Sequence, residues 1–400
     1  MKTITLVTPH YAPESGAAAK RLTAIAEFLV SKGWQVTVLT LLPNYPENKI
    51  YAGFDVPVPD RREEKGVKVI RLRPWFVPRA NLPLRLMAET LFSIQTFYHL
   101  LTLESGVILA SSPFMFLGPS SLLASWLKRT PFCWDVRDLT WLYVGAAGKK
   151  TYGLDRILAS LMRWTAKKAD ALTAASEGFL NYFVARPQKT MTLFNGVTQQ
   201  QLELLAKVQA SPPKQSSPKT ILFAGLIGYN QYLSVLVETA KLLPEMNFTI
   251  CGDGPDLPNL KQLAQTYQLT NVRFTGYLTM DALLKEYQQA DILAAHVRSS
   301  PVIEWLHPAK LWEYMATGKP VVHAGEGDII NLIKQHNIAV PVPPENPQAL
   351  ADAISYLASH PEEALQMGKR GRQFVEIERN REKMLANLEQ LLSSLLERPS

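Results

Sequence analysis

The sequence predicts an α/β protein of two doubly wound, Rossmann-like parallel-sheet domains facing each other across a cleft. Two observations carry this: short apolar runs rich in β-branched residues alternate with stretches of helical length, and the series starts afresh past the middle of the chain. A length of 400 residues also exceeds what one hydrophobic core usually serves.

In order, strands are predicted at 3–8, 34–39, 67–73, 107–110, 132–135 and 171–174, with a first helix over 17–32. The opening run Ile-Thr-Leu-Val is too short and too rich in threonine for a secretory signal and reads as a buried first strand. The most apolar window, 107–127, is broken by Ser-Ser-Pro and Gly-Pro, so it divides into a strand and a helix over 120–128 rather than crossing a membrane. Residues 84–103 form a largely uncharged helix. A second series begins at Thr220-Ile-Leu-Phe-Ala-Gly225 and continues at 248–252, 272–275, 292–295, 320–323 and 339–342. Between the two lie Asn195-Gly-Val197, an apolar helix and then the Pro- and Ser-rich stretch 211–218, the composition of an exposed linker. The expected partition is a first domain over 1–198, a linker over 199–218, a second domain over 219–375, and C-terminal residues 376–400 forming a helix long enough to pack across the hinge.

Composition describes an ordered globular chain, with 47% hydrophobic and 19% charged residues. The net charge of +7 is uneven: through Thr198 there are 24 Lys and Arg against 14 Asp and Glu, and beyond it 18 against 21. The basic half suits an anionic membrane surface or a phosphorylated acceptor better than nucleic acid. The two cysteines, Cys133 and Cys251, each lie in an apolar strand-like run and are expected as buried free thiols.

Ligands of open parallel sheets bind beyond the carboxyl ends of the strands, so the loops there hold the candidate site. The stretch from Pro301 to Val322 reads as a polar loop, a Pro-started helix carrying Lys310 and Glu313, a stop at Gly318 and a buried strand. Free N–H groups at a helix start face an anion, and a carboxylate one turn further in can accept ribose hydroxyls, which suits a sugar nucleotide. A plain i,i+3 ion pair is the alternative, but Leu311, Trp312, Tyr314 and Met315 make this helix too apolar for a solvated face. The loop 224–231, with Gly225 and Gly228, and the small-residue loop 9–19, with Gly16 and Ala17, are each anion-accepting loops or simple turn and packing chemistry. No Gly-x-Gly-x-x-Gly indicates a dinucleotide cofactor. Asp135, Arg137 and Asp138 end a predicted strand, where they either position an acceptor or bond to their own loop. The basic and aromatic run 61–79, with Arg71, Arg73, Trp75 and Arg79, is either an acceptor and anionic-headgroup surface or a solvated loop.

Taken together, these residues resemble the retaining sugar-nucleotide glycosyltransferases of family 4, which have the GT-B fold, over nearly the whole chain. Pro9 to Glu14, Gly16, Arg21, Gly33-Trp-Gln-Val-Thr-Val-Leu-Thr40 and Pro43-Asn-Tyr-Pro46 look like the subgroup that includes O-antigen N-acetylfucosamine transferases. Arg137-Asp-Leu139, Asn195-Gly-Val197, Phe223-Ala-Gly225, Gly252-Asp-Gly-Pro255, Phe274-Thr-Gly276, Pro308-Ala-Lys-Leu-Trp-Glu-Tyr-Met315 and Gly318-Lys-Pro-Val-Val322 continue the likeness.

The resemblance implies metal-independent transfer of a sugar from a UDP- or GDP-type donor, with retained anomeric configuration, to a lipid-linked or polysaccharide acceptor. No cofactor beyond the nucleotide-sugar co-substrate is implied, and the setting would be cytoplasmic, at the inner face of the cell membrane. Glu313 would then bind the ribose, the N–H groups of Lys310 and Leu311 the diphosphate, and Gly276, Tyr277 and Leu278 the base, with Gly16 and Ala17 on the opposite side. Glu304 and Asp138 are the candidate catalytic carboxylates. The sequence departs from the family in three places. The usual first Glu falls at Trp305, one residue beyond Glu304. The usual basic pair is replaced by Tyr229, Asn230 and Gln231, and Thr140-Trp141 follows Arg-Asp-Leu. A scaffold subunit lacking turnover and a sugar-nucleotide epimerase are the rival readings.

Overall fold

The computed structural model describes residues 1–45, 47–77, 81–142, 153–208, 219–299, 305 and 307–397. The chain forms two compact units, Met1–Leu193 joined by the chain from Lys383 onward, and Phe194–Glu382.

The first unit holds an eight-stranded sheet. Its strands are β1 (Thr3–Val7), β2 (Gln35–Leu41), β3 (Asp60–Glu64), β4 (Val67–Leu72), β5 (Val107–Ser111), β6 (Phe132–Val136), β7 (Ala171–Ala174) and β8 (Lys189–Thr192). They lie in the order β3-β4-β2-β1-β5-β6-β7-β8, all parallel except β3 against β4. Residues 107–111 and 132–136 are buried throughout, as strands covered on both faces must be. The run from β4 through β7 steps repeatedly in one direction across the sheet. Right-handed crossovers therefore put the helices Leu82–Thr102, Leu117–Lys128 and Leu154–Lys168 on one face, where they pack side by side.

Strand β3 has no apolar signal. Its sequence Asp-Arg-Arg-Glu-Glu pairs with β4 through the turn Lys65-Gly66, where φ is 51° and 78°. Positive φ at both positions matches the twist of a two-residue hairpin, and a charged edge strand resists pairing with other chains. The segment expected as a basic run is thus partly an ion-paired hairpin.

The second unit holds six parallel strands, β9 (Thr220–Ala224), β10 (Asn247–Cys251), β11 (Val272–Gly276), β12 (Ile292–His296), β13 (Val321–Ala324) and β14 (Val340–Val342), in the order β11-β10-β9-β12-β13-β14. Alternation along β9 sends Ile221 and Phe223 into one apolar layer and Leu222 and Ala224 into the other. The strand order reverses between β9 and β12, which marks the place where such sheets bind ligands.

Residues 199–205 are helical, Gln199–Leu205, and belong to the second unit. Thr198 and Gln201 close a reciprocal capping box at its start. Residues 209–218 lie outside the described residues. The last helix, Arg381–Leu396, buries Leu388, Leu392 and Leu395, and its Glu389 binds Lys2 Nζ at 2.8 Å and Trp34 Nε1 at 3.0 Å within the first unit. Cys133 and Cys251 are buried free thiols.

Candidate functional site

In the second unit, the loops leaving β9, β10 and β11 lace together backbone to backbone. The Gly225 N–H donates to Cys251 O at 2.9 Å, the Ile227 N–H to Asp253 O at 2.9 Å, and the Gly252 N–H to Gly276 O at 2.9 Å. Gly252 has φ 134°, and a Cβ there would sit 1.9 Å from Gly225 O. Only glycine permits loops this close, and at Gly225 the space a side chain would take is met by Lys310.

The helix Ala309–Ala316 packs against the end of β9. Tyr314 pins it: the hydroxyl accepts from the Ala224 N–H at 2.6 Å and donates to Ala224 O at 2.8 Å. Leu311, Trp312 and Tyr314 are fully buried, which explains the apolar sequence of a helix that nevertheless carries two charges. Lys310 lies on the side facing β9. Its Nζ is 4.0 Å from the centroid of the Phe223 ring, has no hydrogen-bond partner and is shielded from solvent. Burial lowers its pKa to about 8, while the nearby Glu313 charge works in the opposite direction. A desolvated ammonium without a hydrogen-bond partner has the chemistry to accept an anion.

Glu313 is half-buried, one turn further along the helix. It lines a small pocket with Gln201, Leu205, Met280, Leu283 and Tyr287. Met280 begins the helix that follows Gly276, Tyr277 and Leu278, but none of these three, the residues expected at the base, lines the pocket beside Glu313. Tyr277 is 82% exposed and Leu278 packs on the core below. The Leu311 N–H donates to Pro308 O at 3.1 Å, so it reaches a phosphate only as a shared donor. Gly228 closes a turn with Gln231, whose N–H donates to Gly228 O at 3.1 Å.

One cluster here was illegible in the sequence. Phe194 stacks on His307 at 5.9 Å between ring centroids, and the Arg379 guanidinium lies 3.7 Å from the Phe194 centroid and 4.9 Å from that of Trp312. His307 Nε2 meets Asp328 Oδ1 at 2.9 Å. These residues are too far apart in the chain for any spacing rule to join them.

In the first unit, Gly16 caps the helix Ala17–Ser31 without a side-chain bond, and Ala17 is exposed beside it. The preceding loop is organised by buried Glu14. One of its oxygens meets His10 Nδ1 at 2.7 Å, and the other accepts from the N–H groups of Asn44 and Tyr45 at 2.7 and 2.9 Å. A pocket of about 340 Å³ opens here, lined by His10, Arg73, Trp75, Arg85, Glu89 and Phe92 among others. Burial raises the pKa of Glu89. His10 is thus a hydrogen-bonded loop histidine, and no spacing in the sequence singles out Glu89 or Arg85.

Asp135 is fully buried. It accepts from Arg21 Nη1 and Ser111 Oγ at 2.7 Å and from Thr173 Oγ1 at 2.9 Å, so these bonds tie it to the first helix and to β5 and β7 rather than to its own loop. Arg137 donates to Leu193 O, and burial lowers its pKa to about 9. Asp138, half-buried and partnered, follows this network at the end of β6.

The structure corrects one expectation outright. Arg71 is not a surface cation: it is 0% exposed, donates to both Glu64 oxygens at 2.7 and 2.9 Å and to Ala12 O at 2.8 Å, and lies over the Phe54 ring. Its position on β4 opposite Asp60 of the hairpin turns it inward. Arg73 and Trp75 are exposed at the pocket rim. Glu304 and Arg79 lie outside the described residues. Among the described residues no three His, Cys, Asp or Glu side chains converge as a metal site would require.

Comparison with known proteins matches residues 16–195 to the glycosyl transferase 4-like domain and residues 206–374 to the glycosyl transferases group 1. The chain is similar to a putative colanic acid biosynthesis glycosyl transferase of Escherichia coli, 24% identical over 86% of this chain and 89% of that protein. It is 25% identical to a D-rhamnosyltransferase of Pseudomonas aeruginosa over 73% and 75% of the two chains. Among solved structures, the Anabaena protein HepE in complex with UDP superposes with a TM-score of 0.71 at 16% identity, covering 98% of this chain and 100% of that one. Sucrose-phosphate synthase of Thermosynechococcus elongatus gives 0.66 at 19% identity, covering 99% of each.

Proposed function

We propose that this chain, which belongs to the GT-B glycosyltransferases, moves a sugar from a UDP- or GDP-type donor to a lipid-linked or glycan acceptor in cell-surface glycan assembly. The observation that carries this reading is the ammonium of Lys310, shielded from solvent and without a hydrogen-bond partner, held against Gly225 at the end of β9 with Glu313 further along the same helix. An ammonium beside the start of a helix suits a diphosphate, and a half-buried carboxylate beside a pocket suits ribose hydroxyls. The UDP and UDP-glucose held by HepE support a nucleotide-sugar donor.

Chemistry in this reading rests on positioning and on electrostatic support of the departing diphosphate. A donor phosphate oxygen assists deprotonation of the acceptor on the same face, so the anomeric configuration is retained without a metal. Lys310 supplies the positive charge that a basic pair after Gly225 would otherwise supply. Glu304, which lies outside the described residues, keeps its sequence-based assignment as the carboxylate meant for the transferred sugar. Asp138 and the pocket lined by His10, Arg73, Trp75 and Arg85 serve the acceptor; two guanidinium groups at an apolar cavity suit a phosphate carried on a lipid. The setting is the cytoplasmic side of a membrane.

A panel of nucleotide sugars tests the reading through thermal stabilisation, since a ligand held at 100 times its dissociation constant adds about 2.7 kcal/mol to the native state. The donor that stabilises should then be consumed with a lipid-linked acceptor, giving a product of unchanged anomeric configuration by NMR. Stabilisation by no UDP or GDP sugar overturns the donor assignment. Binding without any transfer points to a scaffold subunit, and conversion of the donor with no acceptor present points to an epimerase.

A further inference from the structure

The loop that leaves β1 holds the side chain of His10 from two directions. Buried Thr8 pins its backbone: the hydroxyl donates to His10 O at 3.1 Å and accepts from the His10 N–H at 3.3 Å. Glu14 holds the ring, and is itself fixed. One Glu14 oxygen accepts from the Asn44 and Tyr45 N–H groups, and the other meets His10 Nδ1 at 2.7 Å. The Glu14 side chain is 2% exposed, whereas that of His10 is 22% exposed at the pocket of about 340 Å³ described above. Tyr45 and Phe114 stand edge-on to the imidazole, at 5.5 and 6.4 Å between ring centroids.

This arrangement decides which proton the imidazole carries. Two backbone N–H groups donating to one oxygen suit the carboxylate form of Glu14, so Nδ1 is the donor to the other oxygen. A neutral imidazole then has its lone pair at Nε2, which has no hydrogen-bond partner among the described residues. With Nδ1 turned to Glu14, Nε2 is the nitrogen left for a ligand.

The rest of the pocket shows which ligand fits. Gln95 brings an amide that likewise has no partner among the described residues, and Tyr45, Trp75 and Phe114 bring flat apolar walls. Such walls with polar groups between them fit a pyranose, which is apolar on its faces and hydroxylated around its edge. Arg73 and Arg85, exposed at the rim, suit a phosphate. A bare lipid chain in this cavity would leave Nε2 and the Gln95 amide unpaired, which weakens binding.

We infer that this pocket takes the sugar end of the acceptor, a glycosyl phosphate, with His10 Nε2 accepting a hydrogen bond from a sugar hydroxyl and Arg73 and Arg85 holding the phosphate. Glu14 is the positioning residue, since it sets the tautomer that makes Nε2 an acceptor. The acceptor role rests on the glycosyltransfer reading; the binding of a glycosyl phosphate does not.

Calorimetry on the full chain, with no donor present, tests this with the 1-phosphates of glucose, galactose, mannose and N-acetylglucosamine. Inorganic phosphate, the free sugars and farnesyl phosphate are the comparators. At least one sugar phosphate should bind tenfold or more tightly than inorganic phosphate or its own free sugar. His10→Phe keeps a ring in place and should lower that affinity about tenfold, with inorganic phosphate unaffected; Arg85→Gln should lower both. Glu14→Gln offers its amide oxygen to the two backbone N–H groups and its NH2 to His10 Nδ1, which moves the imidazole proton to Nε2. It should therefore match His10→Phe, with the 15N NMR shifts of His10 showing the exchanged tautomer. Should Glu14→Gln fail to fold, His10→Phe still decides. No sugar phosphate bound more tightly than inorganic phosphate, or equal affinity in parent and His10→Phe, overturns the inference. So does farnesyl phosphate bound more tightly than every sugar phosphate and indifferent to His10→Phe, since the pocket would then hold the lipid. The farnesyl diphosphate form of the best sugar separates the sources: tighter binding than its 1-phosphate marks a lipid-linked acceptor, and equal binding a soluble one. Donor stabilisation is measured separately, so its success beside failure here would overturn this pocket and leave the transferase reading in place.

Discussion

Lys310 holds its ammonium against the Cα of Gly225: a Cβ added at Gly225 would lie 2.5 Å from Nζ. The two residues are 85 positions apart in the chain, and neither explains itself alone. Gly225 has φ 149°, which lets the loop leave β9 toward β10, and its missing side chain leaves the space that the ammonium fills. Gly225→Ala strains the backbone and displaces the ammonium together. It should cost about 1 to 2 kcal/mol of stability and weaken nucleotide binding about tenfold, read by denaturant unfolding and by calorimetry. An unchanged dissociation constant would separate Lys310 from the donor.

Lys310 also sets a pH dependence. Its folded pKa of about 8 lies below the ordinary lysine value of 10.5. Between those values the unfolded chain binds the extra proton, so this group makes the ligand-free protein more stable as pH rises through that window. Nucleotide affinity should run the other way and fall above about pH 8, because a diphosphate binds the charged ammonium. Lys310→Met should flatten the affinity profile and raise the thermal midpoint at neutral pH. A variant that keeps the parent's profile would assign the titration elsewhere.

Glu313→Ala should reduce nucleotide affinity by about 1 to 3 kcal/mol through loss of charge-assisted hydrogen bonds to ribose. The same variant should bind a 2′,3′-dideoxynucleotide as well as the parent does. Equal losses for both ligands would mean that the carboxylate acts on something other than the hydroxyls.

Arg71→Leu tests the correction made by the structure. Removing the guanidinium strands Glu64 and the carbonyl of Ala12, so stability should fall by about 2 kcal/mol. Flotation with anionic vesicles should be unaffected, because the side chain does not reach the surface. Reduced flotation by a folded variant would return Arg71 to the headgroup surface expected from the sequence.

Much of the fold was legible because its signals are local. Apolar runs such as Thr-Ile-Leu-Phe-Ala and Val-Ile-Leu-Ala are strands covered on both faces, and they fall at β9 and β5, where their composition placed them. Strand β3 was missed because a charged edge strand has no apolar period to detect. The helix over 199–205 was legible as an apolar helix before the Pro- and Ser-rich stretch, although it falls within the expected linker over 199–218. At the site, the small-residue loops and the Lys310 to Glu313 helix were legible as candidates. The Phe194, His307 and Arg379 stack was not, since it joins three separate parts of the chain.

The order of strands and helices, the loops that end in glycine and the charges on an otherwise apolar helix all follow from residues near one another in the sequence, because backbone conformation and amphipathic period are local. Whether a given charge is desolvated depends on what the fold places around it. Arg71 and Lys310 read alike as basic residues. Tertiary structure closed one into a salt-bridged interior, and left the other shielded beside Gly225 without a hydrogen-bond partner. Burial is set by neighbours distant in the chain, and that is why the chemistry of the site was decided only there.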